Sequence, residues 1–158
     1  MQALNAQRKA FLDMLAWSEG TDKPGQPTKN HGYDVIVGGS LFTSYADHPR
    51  KLITINPRLK STAAGRYQLL SRYWDAYRSQ LGLRDFSPAS QDAVALQQIK
   101  ERRALQLIDE GYIRQAIDRC SNIWASLPGA GYGQHEHKAE NLLKKFKEAG
   151  GYVAEPKS

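Results

Sequence analysis

The sequence predicts a mostly helical α+β domain in which one small antiparallel β-wing interrupts an otherwise helical chain. Apolar residues recur at helical spacing before residue 20 and again after residue 61. The segment between them is instead rich in glycine, proline and β-branched residues. No linker long enough to divide the chain is present, so we expect one domain over residues 1–158 with the β-wing at about 33–56.

The chain opens with an amphipathic segment that stops on a carboxylate. Apolar residues from Leu4 to Leu15 follow the helical period, which predicts a helix from about Gln2 to Ser18 that stops at Gly20. Glu19 then lies in the last turn, where the helix dipole favours the protonated acid by about 0.3–1 kcal/mol. Position alone leaves two interpretations open: an exposed helix-end residue, or a general acid in an apolar cleft.

The predicted β-wing consists of three short strands. Residues 33–42 predict a hairpin whose tight turn is Gly38-Gly39, because β-branched residues fill its first arm. Residues 52–55 predict a third strand, closed by Asn56-Pro57. Three such strands form an antiparallel patch that is too small for a sandwich.

Helical spacing returns after Ser61 and continues to the tail, which we expect to fray after residue 150, from Tyr152 onward. The predicted helices are 64–70, a segment around Trp74 to Leu81 that stops at Gly82, one opened by Ser87-Pro88, 105–110 before Gly111, 112–120, and a last one from about Ala139 to Gly150.

Composition and charge narrow the class of protein. A hydrophobic fraction of 41% with 24% charged residues is typical of a globular domain, and no apolar run is long enough to span a bilayer. The N-terminus lacks the pattern of a signal peptide, so we expect the protein to accumulate in the cytoplasm. The net charge of +6 is concentrated in residues 51–108, which predicts a polyanionic partner, with solubility alone as the alternative.

Several kinds of site are excluded. The sequence has neither a phosphate-binding loop nor a dinucleotide fingerprint, so we expect no cofactor. We expect no metal, because the imidazoles of His135 and His137 diverge by about 200° on a helix. Cys120 continues an apolar helical stripe and is predicted to be a core residue. The remaining chemistry is that of carboxylates and of aromatic faces on which sugar rings pack, namely Tyr33, Tyr45, Tyr67, Tyr73, Trp124 and Tyr132.

These features by themselves indicate no more than a glycan-cleaving enzyme, but five segments add a resemblance. They closely resemble the lambda lysozyme family of phage endolysins, which are peptidoglycan lytic transglycosylases. The resemblance runs in a single register from about residue 5 to residue 150. It implies a lysozyme-like fold with a cleft between a helical and a β-rich lobe. The segments are residues 16–21, 30–39, 64–70, 90–99 and 121–133.

The resemblance also implies the roles of individual residues. Glu19 is implied to be the single catalytic acid and base, cleaving the β-1,4 bond between N-acetylmuramic acid and N-acetylglucosamine without water and leaving a 1,6-anhydro end. Gln68 matches a glutamine beside the family's catalytic acid, and Tyr132 resembles its cleft tyrosine. We assign both, together with Ser126, to substrate binding or to positioning Glu19. We assign Asp34 to sugar hydrogen bonding, with turn stabilisation as an equal alternative.

Two alternative functions stay open at this point. A hydrolytic N-acetylmuramidase would act on the same substrate, and a non-catalytic binding protein would use the basic segment to hold nucleic acid or wall polymer. No helix pairs clustered cations with a nucleic-acid motif, so we expect peptidoglycan strands and no nucleic acid as the partner. We expect a monomer without stable membrane association. The resemblance implies that a separate holin releases the enzyme from the host cytoplasm to the periplasm and cell wall.

Overall fold

A computed structural model describes residues 2–128 and 137–154. The described chain is mostly helical with one two-stranded antiparallel sheet, which confirms the predicted class. It divides into two compact units, Met1–Ser18 with Ala95–Ser158 and Glu19–Val94. None of the described helices is long and apolar enough to cross a bilayer. The elements are α1 (Ala6–Ser18), β1 (Ile53–Asn56), β2 (Leu59–Ser61), α2 (Ser71–Leu81), α3 (Pro88–Glu101), α4 (Leu105–Glu110), α5 (Ile113–Cys120) and α6 (Ala139–Glu148).

Helix α1 is the centre of the first unit. It packs against α4 and α6, and α5 packs against both of those helices. The side chains of Phe11, Met14 and Leu15 are fully buried, so the apolar stripe predicted from the sequence is the core face. The helix begins at Ala6, because the Asn5 side chain accepts a hydrogen bond from the Arg8 amide at 2.9 Å and caps it there. The predicted start at Gln2 is therefore wrong.

The described part of the tail is attached to the first unit. The Tyr152 amide donates to Gln7 Oε1 at 2.6 Å, and Gln7 Nε2 donates back to the Tyr152 carbonyl at 2.9 Å. The Ala154 amide donates to the Gly111 carbonyl at 2.9 Å. The prediction that the tail frays from Tyr152 is therefore wrong for residues 151–154, because these bonds fix its backbone to α1 and to the end of α4.

The core of the second unit is built around two aromatic side chains. The rings of Trp74 and Phe86 meet edge to face, with centroids 5.0 Å apart and planes at 73°. Ala64, Leu69 and Val94 complete this buried cluster. Trp74 Nε1 donates to Asp47 at 2.9 Å, so the one polar atom of the largest core side chain is satisfied.

The β-wing differs from its prediction in two ways. The strand predicted at 52–55 is observed as β1, but Asn56-Pro57 does not close the pattern, because a turn at Pro57-Arg58 leads into a second strand. The partner strand β2 was not predicted; its Ser61 pairs with Ile53 and its Lys60 with Thr54. The hairpin predicted at 33–42 is reduced to single bridges, since the chain at 35–37 also bonds to the backbone of residues 63–65.

Residues 64–70 form a tight turn instead of the predicted helix. Ala64 and Leu69 bridge each other across it. Gly65 and Gln68 adopt left-handed backbone conformations, with φ of 84° and 54°, which a right-handed helix does not permit. A Cβ atom at Gly65 would also collide with the Gln91 side chain, so this backbone requires glycine.

The remaining helical predictions are confirmed. Helix α2 ends at Gly82 and α4 at Gly111, both in the left-handed conformation typical of helix C-termini. Helix α3 begins at Pro88, with the Ser87 hydroxyl accepting a hydrogen bond from the Ser90 amide at 3.3 Å. Cys120 is fully buried, and this burial raises the pKa of its thiol to about 12, in agreement with a core role.

His48 gives the fold a predicted pH dependence. Its ring is 3% exposed, with Nε2 2.8 Å from the Leu69 carbonyl and Nδ1 accepting from the Arg50 amide at 2.9 Å. Burial lowers the pKa of His48 below 6.5, so the unfolded chain binds the proton more tightly than the folded one. The contribution of His48 to the free energy of unfolding is therefore fully present above about pH 6.5 and is lost as the pH falls below that value. Urea unfolding should show this decline in the wild type and a shallower decline in His48→Gln; equal pH slopes would contradict it.

Candidate active site

Glu19 directly follows α1 and is partly buried. The helix ends at Ser18, so Glu19 is the first residue beyond it rather than part of the last turn as predicted. The last turn carries no basic side chain, and the negative end of the helix dipole is therefore not offset there by a cation of the helix. The candidate acid thus follows a helix whose second half is largely buried, which is a favourable support for a group that must be placed accurately.

Contacts from Ser126, His137 and Lys145 hold the residues just before Glu19, and we call this set of contacts the Ser18 anchor. The hydroxyls of Ser18 and Ser126, both buried, lie 2.7 Å apart. His137 donates its amide to the Ser126 carbonyl at 2.9 Å, and its Nε2 lies 3.2 Å from the Ser18 carbonyl. The His137 ring also packs on Trp17, with centroids 4.5 Å apart, and Lys145 Nζ lies 5.2 Å from the centre of the same indole. The carbonyl that leads into Glu19 is thereby fixed.

The anchor changes how two predictions are interpreted. Ser126, predicted to bind substrate or to position Glu19, has its hydroxyl against Ser18, and this contact favours positioning. A direct bond from Ser126 to a sugar stays a prediction. His137 was considered only as part of a metal motif, whose other members, His135 and Glu136, lie outside the described residues.

The Ser18–Ser126 pair can be tested by a double-mutant cycle. Either single alanine substitution removes the hydrogen bond between the two buried hydroxyls and should lower the free energy of unfolding by about 1–2 kcal/mol. The double substitution removes both partners and should cost less than the sum of the singles. Urea unfolding of the four proteins measures this, with Ser79→Ala as an exposed control that changes stability by less than about 0.5 kcal/mol. Strictly additive losses would show that the hydroxyls do not interact.

Arg66 fixes the loop that follows Glu19. Its side chain is 6% exposed and forms an ion pair with Asp22 at 3.0 Å, while Nε donates to the His31 carbonyl at 2.8 Å. The Thr21 hydroxyl donates to the Arg66 carbonyl at 2.6 Å. One buried residue thus binds both ends of the 21–31 loop. The sequence did not predict this role, because nothing in the local pattern marks an arginine as buried.

A second set of contacts extends the network to α3. Tyr67 donates to Asp92 at 2.6 Å and Tyr33 donates to it at 2.9 Å. Burial, followed by the nearby Asp92 charge, raises the pKa of Tyr33 to about 12, and burial raises that of Tyr67 well above 10.0. Tyr67 and Trp124 are only 5% and 2% exposed. The prediction that these two offer open faces for sugar rings is therefore wrong, because their rings are packed inside the protein.

Asp34 is bound within its own loop. It is 4% exposed, and its two carboxylate oxygens accept from the Thr28 hydroxyl at 2.5 Å and the Lys29 amide at 3.0 Å. The Thr28 oxygen in turn accepts from the Gly32 amide at 2.8 Å. These contacts favour turn stabilisation, one of the two alternatives that the sequence left open. Sugar hydrogen bonding by Asp34 stays a prediction.

Gln68 lies beside the segment that carries Asp34. Its side-chain amide donates to the carbonyls of Gly65 at 2.9 Å and Val35 at 3.3 Å, and the residue is partly buried. The structure therefore brings Gln68 and Asp34 into one region of the second unit and places Ser126 on the end of α1. Tyr132, the remaining predicted site residue, lies outside the described residues.

The carboxylates of residues 19–94 have a clear division of roles. Glu19 is the one glutamate of this segment, and its other acids are six aspartates. Each aspartate accepts hydrogen bonds or forms an ion pair within the protein, and these contacts stabilise the local fold. The pairs are Asp22 with Arg66, Asp34 with Thr28, Asp47 and Asp75 with Arg50, Asp85 with Ser87 and Ser90, and Asp92 with Tyr33 and Tyr67.

Comparison with known proteins supports the resemblance seen in the sequence. The Endolysin family profile matches residues 9–153. The chain belongs to the endolysin family. This endolysin is 79% identical over 155 residues to the endolysin of Escherichia phage lambda, covering 98% of each chain. It is 56% identical over 156 residues to the endolysin of Escherichia phage P2, covering 92% of this chain and 93% of that one.

Solved structures confirm the fold of this endolysin. Bacteriophage lambda lysozyme complexed with a chitohexasaccharide matches with a TM-score of 0.97 and 79% identity, over 98% of this chain and 100% of that one. A second structure of lysozyme from bacteriophage lambda matches with a TM-score of 0.92 and 77% identity, over the same shares. The expected lysozyme-like fold is therefore confirmed.

Proposed function

We propose that this endolysin is a lytic transglycosylase of bacterial peptidoglycan. It cleaves the β-1,4 bond between N-acetylmuramic acid and N-acetylglucosamine and leaves a 1,6-anhydro-muramic end without consuming water. Membership of the endolysin family supports peptidoglycan as the substrate. The similar lambda lysozyme that is complexed with a chitohexasaccharide supports a glycan strand as the part that is bound.

The observation that carries the choice of mechanism is the engagement of the six aspartates. A hydrolytic glycosidase usually needs a second carboxylate, either as nucleophile or to activate water. Asp34 was the only nearby candidate in the sequence, and both of its oxygens are bound to Thr28 and Lys29. The other five aspartates of residues 19–94 are engaged in the same way. A reaction that needs only one carboxylate fits this arrangement better than hydrolysis.

In the proposed reaction Glu19 acts twice. As the protonated acid it donates its proton to the leaving glycosidic oxygen. The C6 hydroxyl of the muramoyl residue attacks its own anomeric carbon, and the Glu19 carboxylate accepts the proton that this hydroxyl releases. The glycosidic bond breaks, one intramolecular C–O bond forms, and Glu19 returns to its protonated state. Because the nucleophile is part of the substrate, proximity replaces much of what a second carboxylate would supply.

The surrounding residues position the acid and the substrate. The Ser18 anchor fixes the backbone before Glu19, and Arg66 fixes the loop after it. We propose Gln68 and Tyr132 as substrate contacts, with Asp34 supporting the loop on which Gln68 rests. We also propose that the enzyme works as a monomer. It remains in the host cytoplasm until a separate holin breaches the membrane, and then acts in the periplasm and cell wall.

The products of wall digestion test this function. Purified peptidoglycan is digested, and the released muropeptides are measured by mass spectrometry before and after borohydride reduction. The proposal predicts muropeptides that are lighter by one water than hydrolysis products and that borohydride does not reduce. A hydrolytic muramidase digesting the same wall supplies the reference masses. Reducible muramic acid ends from this endolysin would instead assign it to the hydrolytic muramidases.

A further inference from the structure

The β1–β2 hairpin is exposed along most of its length and carries three cations. Lys51, Arg58 and Lys60 are all exposed, and none of them forms an ion pair with a described residue. No acidic residue occurs between Asp47 and Asp75 in the sequence. Positive charge is therefore concentrated on this hairpin without local compensation.

The nearest acids in the sequence are already neutralised by another arginine. Arg50 binds Asp47 at 2.8 Å and Asp75 through a second, short contact. The exposed hairpin cations thus keep their attraction for an external anion. Arg50 and Arg78 differ from the hairpin cations, because both of these arginines form ion pairs with Asp47.

Aliphatic side chains share this surface with the cations. Leu52, Ile55 and Leu59 are 59%, 46% and 37% exposed, so three aliphatic side chains of this short hairpin are open to contact with a ligand. The paired residues Thr54 and Lys60 are both exposed, whereas Ile53 and Ser61 at the base are half-buried. A two-stranded hairpin with so little burial is only marginally stable in water, so a ligand that covers it would stabilise it.

We propose that this hairpin, residues 51–61, binds the acidic peptide stems of peptidoglycan. This inference rests on the proposed function, because it takes peptidoglycan as the substrate. The stems carry carboxylates for the three cations and short aliphatic groups for the exposed Leu and Ile side chains. Sugar rings and nucleic-acid bases both favour aromatic faces, and residues 51–61 contain no aromatic side chain. A membrane-binding hairpin would typically add Trp or Tyr at the interface, which this one also lacks.

Binding to insoluble peptidoglycan tests the inference in the Glu19→Gln background, where the wall stays intact. The test variant replaces Lys51, Arg58 and Lys60 with glutamine. The matched control replaces Lys100, Lys144 and Lys147, three exposed lysines of the other unit, so that both variants lose the same charge. We expect the test variant to bind about tenfold more weakly at low salt, because it loses three exposed ion pairs with the wall. The control variant should bind like the parent.

Chemical amidation of the stem carboxylates supplies the second arm, because it removes their charge and leaves the glycan unchanged. On amidated wall the parent and the test variant should bind equally. Equal binding of both proteins to native wall would overturn the inference, and so would a tenfold difference that persists on amidated wall. Binding of the parent to phosphatidylglycerol vesicles as tight as to native wall would assign the hairpin to membranes instead. This binding assay needs no cleavage, so its result does not depend on the reaction type. Hydrolysed muramic ends in the product analysis would refute the transglycosylase reaction and leave the inference about the hairpin standing.

Discussion

Replacing Glu19 with glutamine is expected to reduce peptidoglycan cleavage by at least about a thousandfold, because it removes the only proposed proton donor and acceptor. Glutamine has nearly the shape of glutamate, and the helix before it is held by its own core and by the Ser18 anchor. The circular dichroism spectrum and the thermal midpoint of Glu19→Gln should therefore match those of the wild type. Turbidity clearing of cell walls measures the activity.

Asp34→Asn is the matched carboxylate-to-amide control. It disturbs the bonds to Thr28 and Lys29 and should cost about 1–2 kcal/mol of stability. Its turnover number should nevertheless stay within about tenfold of the wild type, since Asp34 transfers no proton in the proposed reaction. A folded Asp34→Asn enzyme as inactive as Glu19→Gln would show that two carboxylates are needed. Full activity of Glu19→Gln would remove Glu19 from the mechanism.

Arg66→Met is expected to cause the largest loss of stability, about 3–5 kcal/mol, because it leaves the Asp22 carboxylate and the His31 carbonyl without the buried guanidinium group that binds both. Arg50→Met is the control. Arg50 also pairs with two aspartates, but its side chain is 39% exposed where that of Arg66 is 6%, so its loss should cost less than about 1 kcal/mol. Urea unfolding compares the two variants. Equal losses would show that the Arg66 network is no stronger than a surface ion pair.

The sequence was sufficient where local signals decide the structure. Gly82 and Gly111 end helices because their left-handed backbone stops the helical pattern, and Ser87-Pro88 opens one for equally local reasons. The helix predicted at residues 64–70 was wrong, although their composition suits a helix. The Gly65 amide instead donates a hydrogen bond to the Val35 carbonyl, which lies in a distant part of the chain. Strand β2 was missed because three residues without β-branching carry no strand signal of their own.

In the candidate site, too, the sequence was sufficient for some features, whereas others depend on contacts between distant parts of the chain. The family resemblance identified Glu19, but the side chains that hold it in place come from far along the chain: Ser18 and Ser126 are 108 residues apart, and Thr21 and Arg66 are 45 apart. Such pairs depend on the tertiary fold, which spacing and composition do not encode. The role of Asp34 was left open between a sugar and a turn, and only the distances to Thr28 and Lys29 favour the turn.

The reaction type can be tested most directly by following solvent oxygen. Peptidoglycan is digested by the wild-type enzyme in water enriched in the heavy oxygen isotope, and the muramic ends are analysed by mass spectrometry. If Glu19 serves an intramolecular attack by the C6 hydroxyl, the anhydro ends contain no solvent oxygen and have the same mass as those formed in ordinary water. Muramic ends that carry one heavy oxygen would show that water attacks the anomeric carbon, which would contradict the transglycosylase mechanism.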